Sequence, residues 1–179
     1  FRFDYQRYVM STRYRILIGL TLSKMKIDQN IEENNLPSKY TMMNLISEKE
    51  KNGGIANYLS FGLVYDNRNN QCYCSNGTWF ESFIILSPKI VSSTSFSKLI
   101  VSYRLYNEIF KKQFVFMFRS SLQYKISGTI PSYLKSTYFE SKLNQDGLGG
   151  AFNLRGYNRN RIVADGFGLI NLELRKKVF

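Results

Sequence analysis

The sequence predicts an all-β fold, an antiparallel meander of roughly seven strands that belongs to a larger transmembrane β-barrel. Three observations lead there. Apolar and polar residues alternate with period two through several segments of about ten residues, longer than usual soluble strands and matched to a tilted membrane crossing. Aromatic residues make up 16% of the 179, with 14 Phe and 13 Tyr against one Trp, a composition that suits strands and membrane interfaces. Short connections and long polar ones fall on opposite rims, the usual arrangement of an outer-membrane barrel.

Taken in order, the first strand, about Phe1 to Val9, is short, and a tight turn at Met10 to Thr12 follows it. From Arg13 to Lys24, Tyr14, Ile16, Ile18, Leu20 and Leu22 oppose residues such as Arg13, Arg15, Gly19 and Thr21. A long polar connection, about 27–54, leads to Ile55–Asp66, with Leu59, Phe61, Leu63 and Tyr65 on one face. Asn67 to Gly77 is an intermediate turn. In Thr78–Ser87 the alternation falters: Phe80, Ile84 and Leu86 oppose Glu81, yet Phe83 and Ile85 share the face of Glu81. Apolar residues on an otherwise polar face suit packing beneath an inserted loop. Pro88 to Thr94 is a modest loop. Ser97–Tyr106 and Gln113–Ile126, joined by a tight turn at Glu108–Lys111, alternate most clearly. The second long connection, about 128–163, ends in the strand Gly168–Arg175, where Leu172 and Leu174 oppose Asn171, Glu173 and Arg175. A strand with one fatty and one charged face fits a wall between lipid and water.

Several function classes are disfavoured. There is no His, so the usual general base near neutral pH and the commonest metal ligand are missing. No nucleophile–base pair, metal cluster or phosphate cradle is visible, and neither catalysis nor a cofactor is expected. The net charge of +12 invites nucleic acid, but Lys and Arg are scattered as polar members of alternating strands. A basic barrel interior or contact with anionic lipid head groups accounts for that spread, and no nucleic-acid partner is expected. Cys72 and Cys74, separated by one residue, fit two thiols in a turn better than a relaxed disulfide. No run approaches the roughly 20 apolar residues of a membrane helix. Roughly seven strands are too few to close a membrane barrel, and the N-terminus lacks an initiator Met and a signal-peptide core. The chain is therefore expected to be a central piece of a longer product. A soluble β-sandwich is the competing fold.

The segment GGAFNLRGY, Gly149 to Tyr157, resembles the loop motif of BamA/TamA-type outer-membrane proteins, the bacterial surface antigen family. There a glycine pair precedes a Val/Leu/Ile-Arg-Gly-Phe/Tyr tetrad, here Leu154-Arg155-Gly156-Tyr157. YDNRNN…NGTWFE, Tyr65 to Glu81, resembles the family's strand–turn–strand, with Asp66, Arg68 and the turn glycine Gly77. Its usual proline is absent, and the CYC at Cys72–Cys74 is a departure. Gly168 to Arg175 is placed like the strand after the motif loop.

The resemblance implies an outer-membrane location, and insertion or translocation of client outer-membrane proteins with accessory lipoproteins and membrane lipids as partners. It places the chain at about the sixth to twelfth of roughly sixteen strands, without the POTRA repeats or the seam between first and last strands where clients pair. It also implies that the long loop folds into the lumen and that Arg155 meets an acidic wall residue, for which Glu173 is the candidate. A guanidinium suits this, being always charged and able to grip a carboxylate with two hydrogen bonds. Gly147, Gly149 and Gly150 are expected to bend the loop, Gly156 to turn it, and Tyr157 to lay its ring against the wall. The bland alternative is a solvated turn beside a hydrated carboxylate. Two rival functions stay open: a passive porin or transporter barrel, and a barrel anchoring a secreted enzyme.

Overall fold

A computed structural model describes residues 1–10, 12–26, 50, 53–110, 113–142, 147–150, 153–160 and 162–176. Among them seven strands form one antiparallel sheet: β1 (Arg2–Tyr8), β2 (Tyr14–Thr21), β5 (Tyr58–Asp66), β6 (Gly77–Ser87), β7 (Phe96–Ile109), β8 (Phe114–Gly128) and β9 (Phe167–Lys176). Each lies beside its sequence neighbour, so the sheet is a meander, as the alternation predicts. Two-residue strands β3 (Lys24–Met25) and β4 (Gly54–Ile55) pair separately. A short helix, α1 (Ser132–Lys135), lies between β8 and β9. Most of the expected outer loop at 27–54 lies outside the described residues, as does Ser11 of the first turn.

β7 runs three residues beyond its expected end at Tyr106, because Asn107, Glu108 and Ile109 still pair with Phe116, Val115 and Phe114. Main-chain pairing carries the strand on where the side-chain alternation has stopped. At 14 and 15 residues, β7 and β8 exceed the length that a tilted membrane crossing requires.

Ladder partners share a face, so the registers define rows across the sheet. Ile18, Phe61, Ile84, Leu99 and Tyr124 form one row, and none of the described residues covers their face. Its apolar side chains are exposed, Leu172 by 66% and Leu174 by 61%. The adjacent row, Leu17, Gly62, Phe83, Ile100, Gln123 and Phe167, points to the opposite face. That inner face is covered by described parts of the return segment between β8 and β9, among them residues 129–142. Ile130 and Phe139 from the segment pack with Leu17, Tyr58, Phe83, Ile85 and Ile100 in one buried cluster. Phe83 and Ile85, the residues that break the alternation of β6, lie beneath the segment and are almost fully buried. The core of the chain thus lies between the inner face and its own return segment.

The meander sorts the connections by rim. The β1–β2, β5–β6 and β7–β8 turns share one rim; the connections at 22–57, 88–95 and 129–166 share the other. No helix among the described residues is long and apolar enough to cross a membrane, which leaves crossing by strands unaddressed.

Candidate functional site

The return segment meets the wall at two places. The first is the motif loop. Gly150 donates its backbone N–H to the carbonyl of Tyr157 at 2.8 Å, closing the loop at its neck. Within it Asn153, almost fully buried, accepts at Oδ1 from the N–H groups of Gly149 and Leu154, both at 2.7 Å. Its Nδ2 donates to the Gly147 carbonyl at 2.9 Å. Asn171 on β9 donates to the Asn153 carbonyl at 2.8 Å, so the loop is fastened to the wall by main chain as well as side chain. Leu154 and Phe167 pack against a buried cluster of Tyr138, Leu148 and Leu169. Gly156 has φ 88°, in open space, so a backbone preference and not crowding calls for glycine there.

Arg155 Nη2 lies 3.6 Å from Glu173 Oε1, within ion-pair range but longer than a hydrogen bond, with the Arg155 side chain 70% exposed. The second oxygen of Glu173 accepts from Nε and Nη2 of Arg175 at 3.0 and 2.9 Å. One carboxylate thus serves two guanidiniums. Tyr157 is exposed. Glu173 lies six residues into β9 from Phe167, so the loop descends about 20 Å along the wall at roughly 3.3 Å per residue.

The second place carries more buried charge. Arg104 on β7 and Arg119 on β8 are direct ladder partners. Two like charges opposite one another destabilise a strand pair unless a counter-ion intervenes. Glu140 of the return segment supplies it: its Oε1 accepts from Nη2 of Arg119 at 2.6 Å and from Nη2 of Arg104. Arg119 Nη2 also donates to the Tyr138 hydroxyl at 2.7 Å. Alongside, the Ser141 N–H donates to Glu81 Oε2 at 3.3 Å, and the Ser141 hydroxyl donates to the same oxygen. Lys98, fully buried, holds its ammonium 5.1 Å from the Phe139 ring and 5.5 Å from that of Phe167. Sequence reasoning missed Glu140, Tyr138, Arg104, Arg119 and Asn153. Asn153 sits inside the quoted GGAFNLRGY, where its short amide before the tetrad was an available signal.

The strand–turn–strand is organised by Asp66 and Arg68. Arg68 donates from Nε to Oδ1 at 2.9 Å and from Nη2 to Oδ2 at 3.1 Å, a two-pronged grip. Its guanidinium lies 4.5 Å from the Trp79 ring. Gly77 has φ 128°, and a Cβ there would meet the Asn67 carbonyl oxygen at 2.3 Å, so the turn admits only glycine at this position. Cys72 and Cys74 are both free thiols, Cys72 exposed and Cys74 buried; burial pushes the Cys74 thiol above its ordinary pKa. Among the described residues no group of His, Cys, Asp and Glu could hold a metal ion.

Near the end of the segment, Asp165 pairs with Lys125 of β8 and, at 3.3 Å, with Lys135 of α1. The Lys125 hydrogen bond, with help from Lys135 and against burial, holds the Asp165 carboxyl below its usual range. A depressed folded-state pKa gives stability that is present above the unfolded value and disappears as pH falls through the folded one. Asp165→Asn is therefore expected to loosen the segment end slightly at neutral pH, by well under about 1 kcal/mol because the pair is partly exposed. The difference from the parent should begin to shrink as pH falls below about 3.8 and vanish only once pH has passed through the depressed folded-state value. Urea titrations of both chains across pH 2–7, read by circular dichroism, check this; an unchanged difference at low pH refutes the assignment.

The family profile described as the Omp85 superfamily domain matches residues 1–168. No curated protein matches the chain.

Proposed function

We propose that this chain, which belongs to the Omp85 superfamily of outer-membrane assembly and translocation proteins, forms part of the wall of a barrel that inserts or translocates other proteins at the bacterial outer membrane. The observation that carries the reading is the opposed treatment of the two sheet faces. One is apolar and uncovered, as a lipid-facing wall requires. The other sets charged and polar groups among its apolar ones, and the chain's own return segment is held against it by both packing and ion pairs. A water-soluble sandwich would bury its apolar row against a second sheet and turn polar residues outward, and the apolar outer row here has no such partner among the described residues.

In this reading the strands contact outer-membrane lipids, and the return segment occupies the lumen. Client outer-membrane proteins are the substrates, with accessory lipoproteins assisting. The wall residues position and hold the segment, and catalysis plays no part. Arg155 and Glu173 tie the motif loop to β9, while Asp66, Arg68 and Gly77 fix the turn on the opposite rim. Because Arg155 is largely exposed, its tie contributes modestly: a double-mutant cycle with Arg155→Ala and Glu173→Ala is expected to give a coupling of about 0.2–1 kcal/mol. Strictly additive losses in that cycle reject direct contact.

The function is tested with the intact protein in lipid vesicles. Acceleration of folding of a urea-unfolded client barrel, measured by protease protection, is the expected result. Steady solute conductance with no effect on client folding identifies a passive channel and overturns the proposal.

A further inference from the structure

We propose that the inner wall carries a binding track for an extended peptide in which an aromatic residue precedes an acidic one, and that residues 138–141 of the chain's own return segment occupy this track. The inference rests on the reading of the inner face as a lumen, and it adds a ligand class to that lumen.

The grip on residues 139–141 takes in main chain as well as side chains. Gln123 Nε2 donates to the Phe139 carbonyl at 3.0 Å. Arg2 Nη2 donates to the carbonyls of Glu140 and Ser141 at 3.0 and 3.2 Å. Glu81 accepts from the Ser141 N–H. These side chains come from β8, β1 and β6, and the groups they hold are present in every polypeptide. A wall that merely packed a loop would be expected to read its side chains alone; this one also reads backbone polarity over three successive residues, as peptide-binding edges and grooves do.

Selectivity comes from two further features. Arg104 and Arg119 face each other across the β7–β8 ladder and between them hold one carboxylate oxygen, so the wall requires an anion at this point. One residue earlier, the Phe139 ring meets Tyr58 edge-on at 5.9 Å and lies beneath the Lys98 ammonium at 5.1 Å, a slot for an aromatic side chain. The segment that fills these places contains no regular strand or helix at 139–141 and is therefore held by the wall and not by its own secondary structure. Such an occupant can be exchanged. A client chain passing through the lumen in extended form, with an aromatic–acidic pair, presents the same groups in the same order, and displacement of the chain's own segment couples arrival of the client to release of the lumen.

The test uses the intact protein folded in detergent, with residues 137–142 replaced by a Gly-Ser linker of equal length, and a fluorescent peptide Thr-Tyr-Phe-Glu-Ser-Lys. Saturable binding is expected, weakened at least about tenfold when the peptide Glu is changed to Gln or when Arg119→Gln is introduced in the wall. Absence of saturable binding to a folded variant, or indifference to both changes, overturns the proposal. If the linker variant does not fold, the parent segment is kept and Ser141→Cys is introduced with Cys72→Ser and Cys74→Ser. Ser141 is almost fully buried, so its thiol is expected to label slowly, and at least about tenfold faster with excess peptide. A labelling rate that ignores the peptide overturns the proposal. Client folding in vesicles is measured on the same parent protein: activity without peptide recognition removes the track alone, whereas loss of client folding strikes the proposed function.

Discussion

Glu140→Ala is expected to lower the stability of the folded chain in detergent micelles by about 3–5 kcal/mol, the largest single effect of any charge in the return segment. The reason is what remains behind. Arg104 and Arg119 stay opposed across the β7–β8 ladder, their side chains 20% and 5% exposed, with the shared carboxylate gone. The buried Arg119 and the partly buried Arg104 lose the carboxylate they share and keep their desolvation cost. Glu140→Gln, which keeps the shape and one acceptor, should fall between parent and alanine variant. Changing all three residues to Met or Leu should recover most of the loss, since an apolar trio has no charge to desolvate. Urea unfolding followed by circular dichroism measures each variant. A Glu140→Ala chain within about 1 kcal/mol of the parent would falsify the clasp, as would a triple variant no better than the single one. Arg155→Ala, by contrast, should cost under about 1 kcal/mol, because its side chain is largely in solvent.

That contrast also shows where the sequence could and could not be read. The strands were legible because period-two alternation is a local property, visible within any ten residues of β2, β7 or β8. Even the exception was informative: Phe83 and Ile85 on the face of Glu81 pointed to a covering segment, and Phe139 and Ile130 are its contacts. The family profile over residues 1–168 accords with the reading drawn from the glycine pair and the Leu154–Tyr157 tetrad. Glu140 was not legible. It is one carboxylate in a polar connection, its partners lie 36 and 21 residues upstream, and no spacing rule links a loop position to a ladder pair. Asn153 was hidden for another reason. Its amide works within the loop, on Gly147, Gly149 and Leu154, and the motif directs attention to the arginine two residues on. The end of β7 is not legible because Asn107 and Glu108 are polar in succession, and their extension is seen only in their pairing with Phe116 and Val115.

Phe139→Ala is expected to remove about 3–5 kcal/mol of packing, the usual loss for a buried aromatic ring. Phe139 is 1% exposed, clustered with Phe83, Ile85 and Ile100, edge-on to Tyr58 and beneath Lys98. The measured loss has a ceiling, however. The seven-stranded ladder does not depend on the segment for its main-chain hydrogen bonds, and its outer face is solvated by detergent or lipid whether or not the segment is docked. Once residues 138–141 leave the wall, water reaches Arg104, Arg119 and Lys98, and further damage to the segment costs nothing more. The combination of Phe139→Ala with Glu140→Ala should therefore be less destabilising than the sum of the two, by more than about 1 kcal/mol. Amide exchange should distinguish the parts: the docked amide of Ser141, bonded to Glu81, should lose protection in either variant while the amides of β6 to β8 keep theirs. Full additivity, with protection lost in segment and strands together, would mean instead that segment and wall unfold as one unit. The lumen could then be opened only by dismantling the sheet, and a displaceable segment would be physically excluded.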